Sequence, residues 1–250
     1  MNLRAFGKTD TGHKRKNNED SFLIDDSLRL YVVADGMGGH QGGETASLIA
    51  VETLSQLLPD MLKSSPPNDR SCDEKSSILA LKQAVFLANQ KIFQAASDNP
   101  ALSGMGTTVT AFLVRGEAAY IAHVGDSRAY MLRDGMLKQV TSDHTIVADR
   151  VRAGLLTPEQ AKTDPYRHII TRALGIDNTV AIEHHTLQIR HHDVFLLCTD
   201  GLTEMVEDGD LREALSEEHP HAAVEKLIHL ANDRGGVDNI TAVVVHVKDE

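Results

Sequence analysis

Between residues 107 and 140 four apolar segments follow one another with only two or three residues between them. They are 107–114, 118–124, 127–132 and 136–140, separated by Arg115-Gly116-Glu117, Gly125-Asp126 and Arg133-Asp134-Gly135. Connections this short cannot return the chain for a parallel pairing, which needs a crossover of about a dozen residues or more. The run is therefore antiparallel, and Asp134-Gly135 is a hairpin signal.

Further elements flank this run. Residues 21–25 and 29–35 read as strands, the second ending on a carboxylate before Gly36, Gly38, Gly39, Gly42 and Gly43 break regularity. A helix is expected from Glu44, with Leu48, Val51, Leu54 and Leu58 on its apolar stripe. Residues 64–71 read as a polar loop. A second helix is expected over 74–97, with Ile78, Leu81, Val85, Ile92 and Ala96 as its stripe and Phe86 and Phe93 beside it. Residues 145–168 turn polar and helical, and Pro158 is placed to start a short helix after Thr157. Strands at 179–183 and 193–199, a helix at 221–232 and a last strand at 241–247 complete the expectation. The pattern is an α+β fold, a four-layer α-β-β-α sandwich in which two mostly antiparallel sheets are flanked by helix pairs. No composition break wide enough for a linker divides residues 1–250, so a single domain is expected, with 145–168 as a surface insertion.

Composition excludes several functions. Lys+Arg 25 against Asp+Glu 36 gives a net charge of −11, and Trp is absent, so neither a nucleic-acid surface nor an anionic membrane surface is expected. The two cysteines, Cys72 and Cys198, are too few for a disulfide framework and lack zinc spacing. Cys198 ends an apolar run and reads as a buried strand thiol. No leader and no stretch of membrane-spanning length is read, and a cytoplasmic location is expected. The phosphate-binding GxxxxGK[ST] loop, the dinucleotide GxGxxG fingerprint, HExxH and GxSxG are all absent. His184-His185 and His191-His192 are not read as a metal site, because adjacent residues of a strand face opposite ways.

What recurs is an aspartate beside a turn residue at the end of an apolar strand. Asp35-Gly36, Gly125-Asp126 and Asp200-Gly201 follow such strands, while Glu19-Asp20 and Asp238-Asn239 precede them. Gathered at one rim, these carboxylates would repel one another unless cations held them. An all-oxygen set suits Mg²⁺ or Mn²⁺ rather than zinc.

Eight short segments then stand in a familiar order. They are Arg15-Lys16-Asn17-Asn18-Glu19-Asp20, Asp35-Gly36-Met37-Gly38-Gly39-His40, Ser103-Gly104-Met105-Gly106-Thr107-Thr108 and His123-Val124-Gly125-Asp126-Ser127-Arg128. Thr141-Ser142-Asp143-His144, Ile170-Thr171-Arg172-Ala173-Leu174-Gly175, Cys198-Thr199-Asp200-Gly201-Leu202 and Asp238-Asn239-Ile240-Thr241 follow. In this the chain resembles the bacterial metal-dependent Ser/Thr protein phosphatases of the PPM type (protein phosphatase 2C-like), over residues 15–241.

The resemblance implies a phosphoric monoester hydrolase that acts on phosphoserine and phosphothreonine. Water between two metal ions would attack phosphorus directly, with no phosphoenzyme intermediate. It implies that Asp35 bridges two Mn²⁺ or Mg²⁺ ions, that the Gly36 carbonyl adds a ligand, and that Asp200 and Asp238 complete the first ion's set. Asp126, with Asp200, matches the place where bacterial members hold a third ion. Glu19 and Asp20, and behind them Asn239, match residues around the metal waters, and Arg15 matches the arginine that holds the phosphate. Eukaryotic relatives carry a histidine directly after the Asp-Gly pair. Here Met37 stands there, and His40 is the candidate general acid or substrate contact. Residues 145–168 correspond to the family's flap, where Arg150, Arg152, Lys162 and Arg167 outnumber Asp149, Glu159 and Asp164 and could attract phosphopeptides. The implied partners are phosphorylated proteins and an opposing Hanks-type Ser/Thr kinase. Two other readings are a catalytically dead phosphoprotein-binding domain and a phosphatase of an anti-sigma-factor antagonist. The first would be marked by loss of Asp35, Asp200 or Asp238, and all three are present.

Overall fold

Strand runs that are apolar at nearly every position need both faces covered, and the chain covers them with a second sheet on one side and helices on the other. The computed structural model describes residues 2–38, 41–63 and 70–248. Its first half holds β1 (Asn2–Asp10), β2 (Asp20–Asp25), β3 (Leu30–Met37), α1 (Gly42–Lys63), α2 (Arg70–Asp98), β4 (Gly106–Thr107), β5 (Val109–Arg115) and β6 (Ala118–Val124). Its second half holds β7 (Arg128–Arg133), β8 (Met136–Gln139), α3 (Ile146–Arg152), α4 (Pro158–Thr163), β9 (Glu183–Gln188), β10 (Val194–Cys198), α5 (Asp200–Thr203), α6 (Asp208–Leu215), α7 (Pro220–Asp233) and β11 (Ile240–Lys248).

One sheet has the order β2-β3-β5-β6-β9, with β4 beside β3, and the other β1-β11-β10-β7-β8. Every pairing is antiparallel. The β7–β8 turn has positive φ at both Asp134 and Gly135, the backbone that a right-twisted hairpin requires. Alternation then sorts each strand into two cores. Leu30, Val32 and Ala34 of β3 face α1 and α2, while Tyr31 and Val33 face the other sheet. Phe195 and Leu197 of β10 meet them from that sheet, and Leu196 and Cys198 face α6 and α7. The α-β-β-α layering follows.

Several expectations shift. The strand expected at 179–183 lies at Glu183–Gln188 instead. Val180 and Ile182 pack against the helix-side core, but the ladder to β6 starts only at Glu183, which pairs with His123. Leu48 is 47% exposed and leaves the α1 stripe, because Ala46, Ala50 and Leu54 form the face that packs. Strand β1 and helices α5 and α6 were not read from the sequence. Arg70 and Ser71 fall in α2 rather than in a loop. The rest of the expected polar loop lies outside the described residues, as does the side chain of Cys72.

The segment 145–168 carries two short helices, each capped by a threonine. Thr145 Oγ1 accepts from Ala148 N–H, and Thr157 forms a reciprocal capping box with Gln160. Its ends are drawn together by a bridge between Thr145 and Ile170 and by Thr171 N–H donating to His144 O. The expected basic excess is partly spent locally, since Arg152 pairs with Asp149 and Arg150 with Asp164.

Phe112 sits between the sheets, its ring 4.7 Å from that of Phe195 and 6.1 Å from that of Tyr31. Phe112→Ala should cost about 3–5 kcal/mol, read from urea unfolding. A loss under about 1 kcal/mol would show that the two sheets do not share this core.

Candidate metal centre and cleft

Antiparallel register carries the acidic residues to one rim. Asp20, at the start of β2, pairs with Asp35 near the end of β3. Asp126 follows β6, Asp200 follows β10 as the first residue of α5, and Asp238 precedes β11. A cleft of about 540 Å³ opens there, lined by Arg15, Glu19, Asp35, Gly36, Asp126, Asp200 and Asp238 among others. Asp20 and Asn239 stand behind its wall. His40 lies outside the described residues.

The backbone around Asp35 is cross-tied. Asp35 N–H donates to Thr108 Oγ1 (2.9 Å), Thr108 N–H donates to Asp35 O (2.9 Å), and Thr107 Oγ1 donates to the same carbonyl (2.9 Å). Thr108 Oγ1 also lies 2.7 Å from Ser127 Oγ, which links Asp35 to the loop that carries Asp126. That loop is held from behind. Arg128 grips Asp143 in a fork (Nε–Oδ1 2.9 Å, Nη2–Oδ2 2.6 Å). His144 accepts from Gly125 N–H through Nδ1 and donates its own N–H to Gly125 O. The acceptor role of Nδ1 places the imidazole proton on Nε2, 3.2 Å from the Glu183 carboxylate. Gly36 needs its missing side chain, since a Cβ there would stand 2.1 Å from Gly43 O and 2.6 Å from Glu19 O.

Burial and mutual repulsion govern the charges. Asp35 is held well above the usual carboxylate range by desolvation, then by Asp20, Asp200, Asp126 and Asp238. Desolvation pushes Asp126 to about 8 and Asp20 to about 7, in Asp20 against hydrogen bonds from Thr241 and Thr199. Asp200 rises to about 6, from desolvation and repulsion by Glu204 and Asp238, eased by a hydrogen bond with Asp35. Two buried carboxylate oxygens, Asp20 Oδ1 and Asp200 Oδ1, have no hydrogen-bond partner. A dense oxygen-only set with unpartnered buried lone pairs fits a hard divalent cation, which would supply the missing positive charge. Arg15 brings a positive charge to the rim, its Nη2 donating to Asp238 Oδ2 at 2.6 Å. Asn239 is spent on the backbone. Its Oδ1 accepts from Glu19 N–H, and its Nδ2 donates to the carbonyls of Thr11 and Asn17, so it braces the loop that carries Arg15 and Glu19.

Two cleft residues escaped the sequence reading. His168 Nδ1 lies 2.5 Å from Glu204 Oε1, and ligand-type atoms of both fall within 4.8 Å of one from Asp200. The Asp200/Glu204 spacing of one helical turn was a legible signal, whereas His168 reaches the site only through the fold of 145–170.

A family profile described as protein phosphatase 2C matches residues 9–239, and the chain belongs to that family. It is 40% identical over 99% of its length to the serine/threonine protein phosphatase PstP of Mycobacterium tuberculosis, of whose length it spans 45%. It is 35% identical to the serine/threonine phosphatase stp of Listeria monocytogenes, over 97% of this chain and 95% of that one. Among solved structures, the catalytic domain of PstP in complex with two manganese ions superposes with a TM-score of 0.86 at 39% identity, over 99% of both chains. The four-layer sandwich is the fold of these neighbours.

Raised carboxylate pKa values mean that the folded chain keeps protons the unfolded chain has released, so its stability falls as pH climbs toward the folded values. Desolvation holds His123 and His246 at about 4, so both stay neutral above pH 6.5, where Asp20 and Asp126 ionise. In EDTA the thermal midpoint should drop between pH 6.5 and 8.5 by roughly 3 °C, the shift that 1 kcal/mol gives a chain of this size. Asp126→Asn should flatten the drop. A midpoint that rises across this interval would contradict a desolvated cluster.

Proposed function

We propose that this chain hydrolyses phosphoserine and phosphothreonine in proteins, opposing a Ser/Thr kinase in the cytoplasm. The observation that carries the reading is the convergence of Asp35, Asp126, Asp200 and Asp238 on one cleft, with Arg15 at its mouth. In this reading Asp35 with the Gly36 carbonyl, Asp200 and Asp238 hold two Mn²⁺ or Mg²⁺ ions, and Asp126 with Asp200 holds a third. When bound, such ions offset the charge of a phosphate dianion and lower the pKa of water at the site.

The chain's own groups do the rest. Asp20, fixed by Thr199 Oγ1 (2.8 Å) and Thr241 Oγ1 (2.6 Å), lies behind the ligands with one free oxygen. Glu19 lines the cleft. Asn239 holds the backbone of both acidic residues' loop in place. Arg15 is 54% exposed and gives one donor to Asp238, so the other donors of its planar fork remain for two phosphate oxygens. His168 lines the same cleft, its Nδ1 against Glu204 Oε1.

Purified protein should hydrolyse a phosphothreonine peptide with Mn²⁺ or Mg²⁺ and fall silent in EDTA. Asp200→Asn should lose at least about 100-fold in kcat under saturating metal, the order seen when one charge-stabilising group is removed from a reacting phosphate or acyl centre. Folded protein inactive with every metal would favour a phosphoprotein-binding role. Activity that survives both EDTA and Asp200→Asn would end the metal reading. Separately, Arg15→Ala should lower kcat/KM by about 10–100-fold, as expected for a charge-assisted contact, and mainly through KM. An unchanged KM would remove Arg15 from phosphate binding.

A further inference from the structure

A second cavity, of about 390 Å³, adjoins the acidic cleft, and Met37 and Ile170 line both. Its remaining surface comes largely from the stretch after Ile170, with Ala173, Ile176, Val180 and Ala181 supplying apolar walls. Ile176 is 45% exposed there, an isoleucine left half in water beside a cleft that is otherwise acidic. The walls are fixed before anything binds. Buried Asn89 of α2 accepts from Gly175 N–H (2.9 Å) and donates to Asp177 O (3.0 Å), and Leu174 exchanges backbone hydrogen bonds with Thr107. Val180 packs on the helix-side core, and Ile170 is held by its bridge to Thr145. Gly106 opens the floor, since a Cβ there would stand 2.7 Å from Met37 Cε and 3.0 Å from Ile176 Cδ1.

The polar members do not make the groove a charge reader. Arg172 and Asp177 are of opposite sign, and Arg172 Nη1 lies against His144 Nε2 at 3.2 Å. A preformed, mostly apolar groove that runs out of the candidate reaction site suits an apolar side chain on the same extended chain as the reacting residue. Each step along such a chain advances about 3.3 Å, so a residue within a few positions of the phosphoresidue reaches it.

We propose that this groove, built by Met37, Ile170, Ala173, Ile176 and Val180, binds an apolar side chain that flanks the phosphoresidue of the substrate, making the enzyme selective for phosphopeptides with a leucine-like neighbour. The inference rests on the phosphatase reading and adds a substrate class to it. Neither the net charge of the chain nor the acidic cleft favours an acidic flank, and the groove gives an apolar one a place to leave water.

The test compares phosphothreonine peptides carrying leucine, alanine or aspartate at each of the three positions on either side of the phosphoresidue, with p-nitrophenyl phosphate as a substrate too small to reach the groove. One position should show a preference of about 10-fold in kcat/KM for leucine over aspartate, carried mainly by KM. Ile176→Asp and, independently, Thr179→Glu should erase that preference while leaving p-nitrophenyl phosphate turnover unchanged. Equal turnover of all peptides, or a leucine preference that persists in both variants, would overturn the groove assignment while the phosphatase reading stands. Failure to turn over p-nitrophenyl phosphate and every peptide would overturn both.

Discussion

Like charges that must stay close set the terms for this molecule. Asp20, Asp35, Asp126, Asp200 and Asp238 sit at one rim, and four of the five are pushed above the ordinary carboxylate range by desolvation and by one another. No single loop could hold such a cluster against its own repulsion. The sandwich does it by taking each residue from a different strand end and anchoring each strand in a core closed on both faces. Leu30, Val32 and Ala34 anchor β3 under the helices, while Tyr31 and Val33 anchor it between the sheets, so Asp35 cannot retreat without moving both cores. The energy that assembles the site is hydrophobic, and the site spends part of it in crowded charge.

Polar ties then set the fine geometry. Thr108 joins Asp35 to Ser127, and Asp20 receives hydroxyls from Thr241 of the opposite sheet and from Thr199, just beyond the end of β10 in that same sheet. The acidic rim is thereby a seam between the sheets as well as a cleft. Asn239 works the same way on the incoming loop, because a carboxamide can accept and donate at once and so brace backbone from both directions. Asp at that position would lose the donor half of this function, and Leu both halves.

The fold was legible where the physics is local. Asp134-Gly135, the continuous apolar strands and the 3.6-residue stripe of α2 each follow from short stretches of chain. The acidic rim was legible too, because each carboxylate stands beside a turn residue at the end of an apolar run. Strand β1 was not. Arg4, Gly7 and Lys8 interrupt its pattern, and it is a strand because all of Asn2–Asp10 pairs with β11, a partner at the far end of the chain. The strand expected at 179–183 failed for a related reason, since Val180 and Ile182 are partly buried by packing without a ladder and β-like composition alone does not supply a partner. His168 meets Glu204 only in three dimensions, and Asn239 gave no sign in the sequence that its amide would be consumed by the 11–19 loop.

The closure of the 145–168 segment has a further consequence. Its two ends meet at the Thr145–Ile170 bridge and at His144, the residue that also clasps Gly125. A loop whose feet are pinned together imposes almost nothing on its surroundings, and the entropy of closing it grows only slowly with its length. Length between the feet therefore costs little to change, while Arg152, which donates to Asp143 O, ties the first helix of the segment to the frame behind Asp126. The two hydrogen bonds that His144 makes to Gly125 thus fix the foot of a long surface segment and the loop of Asp126 at one point.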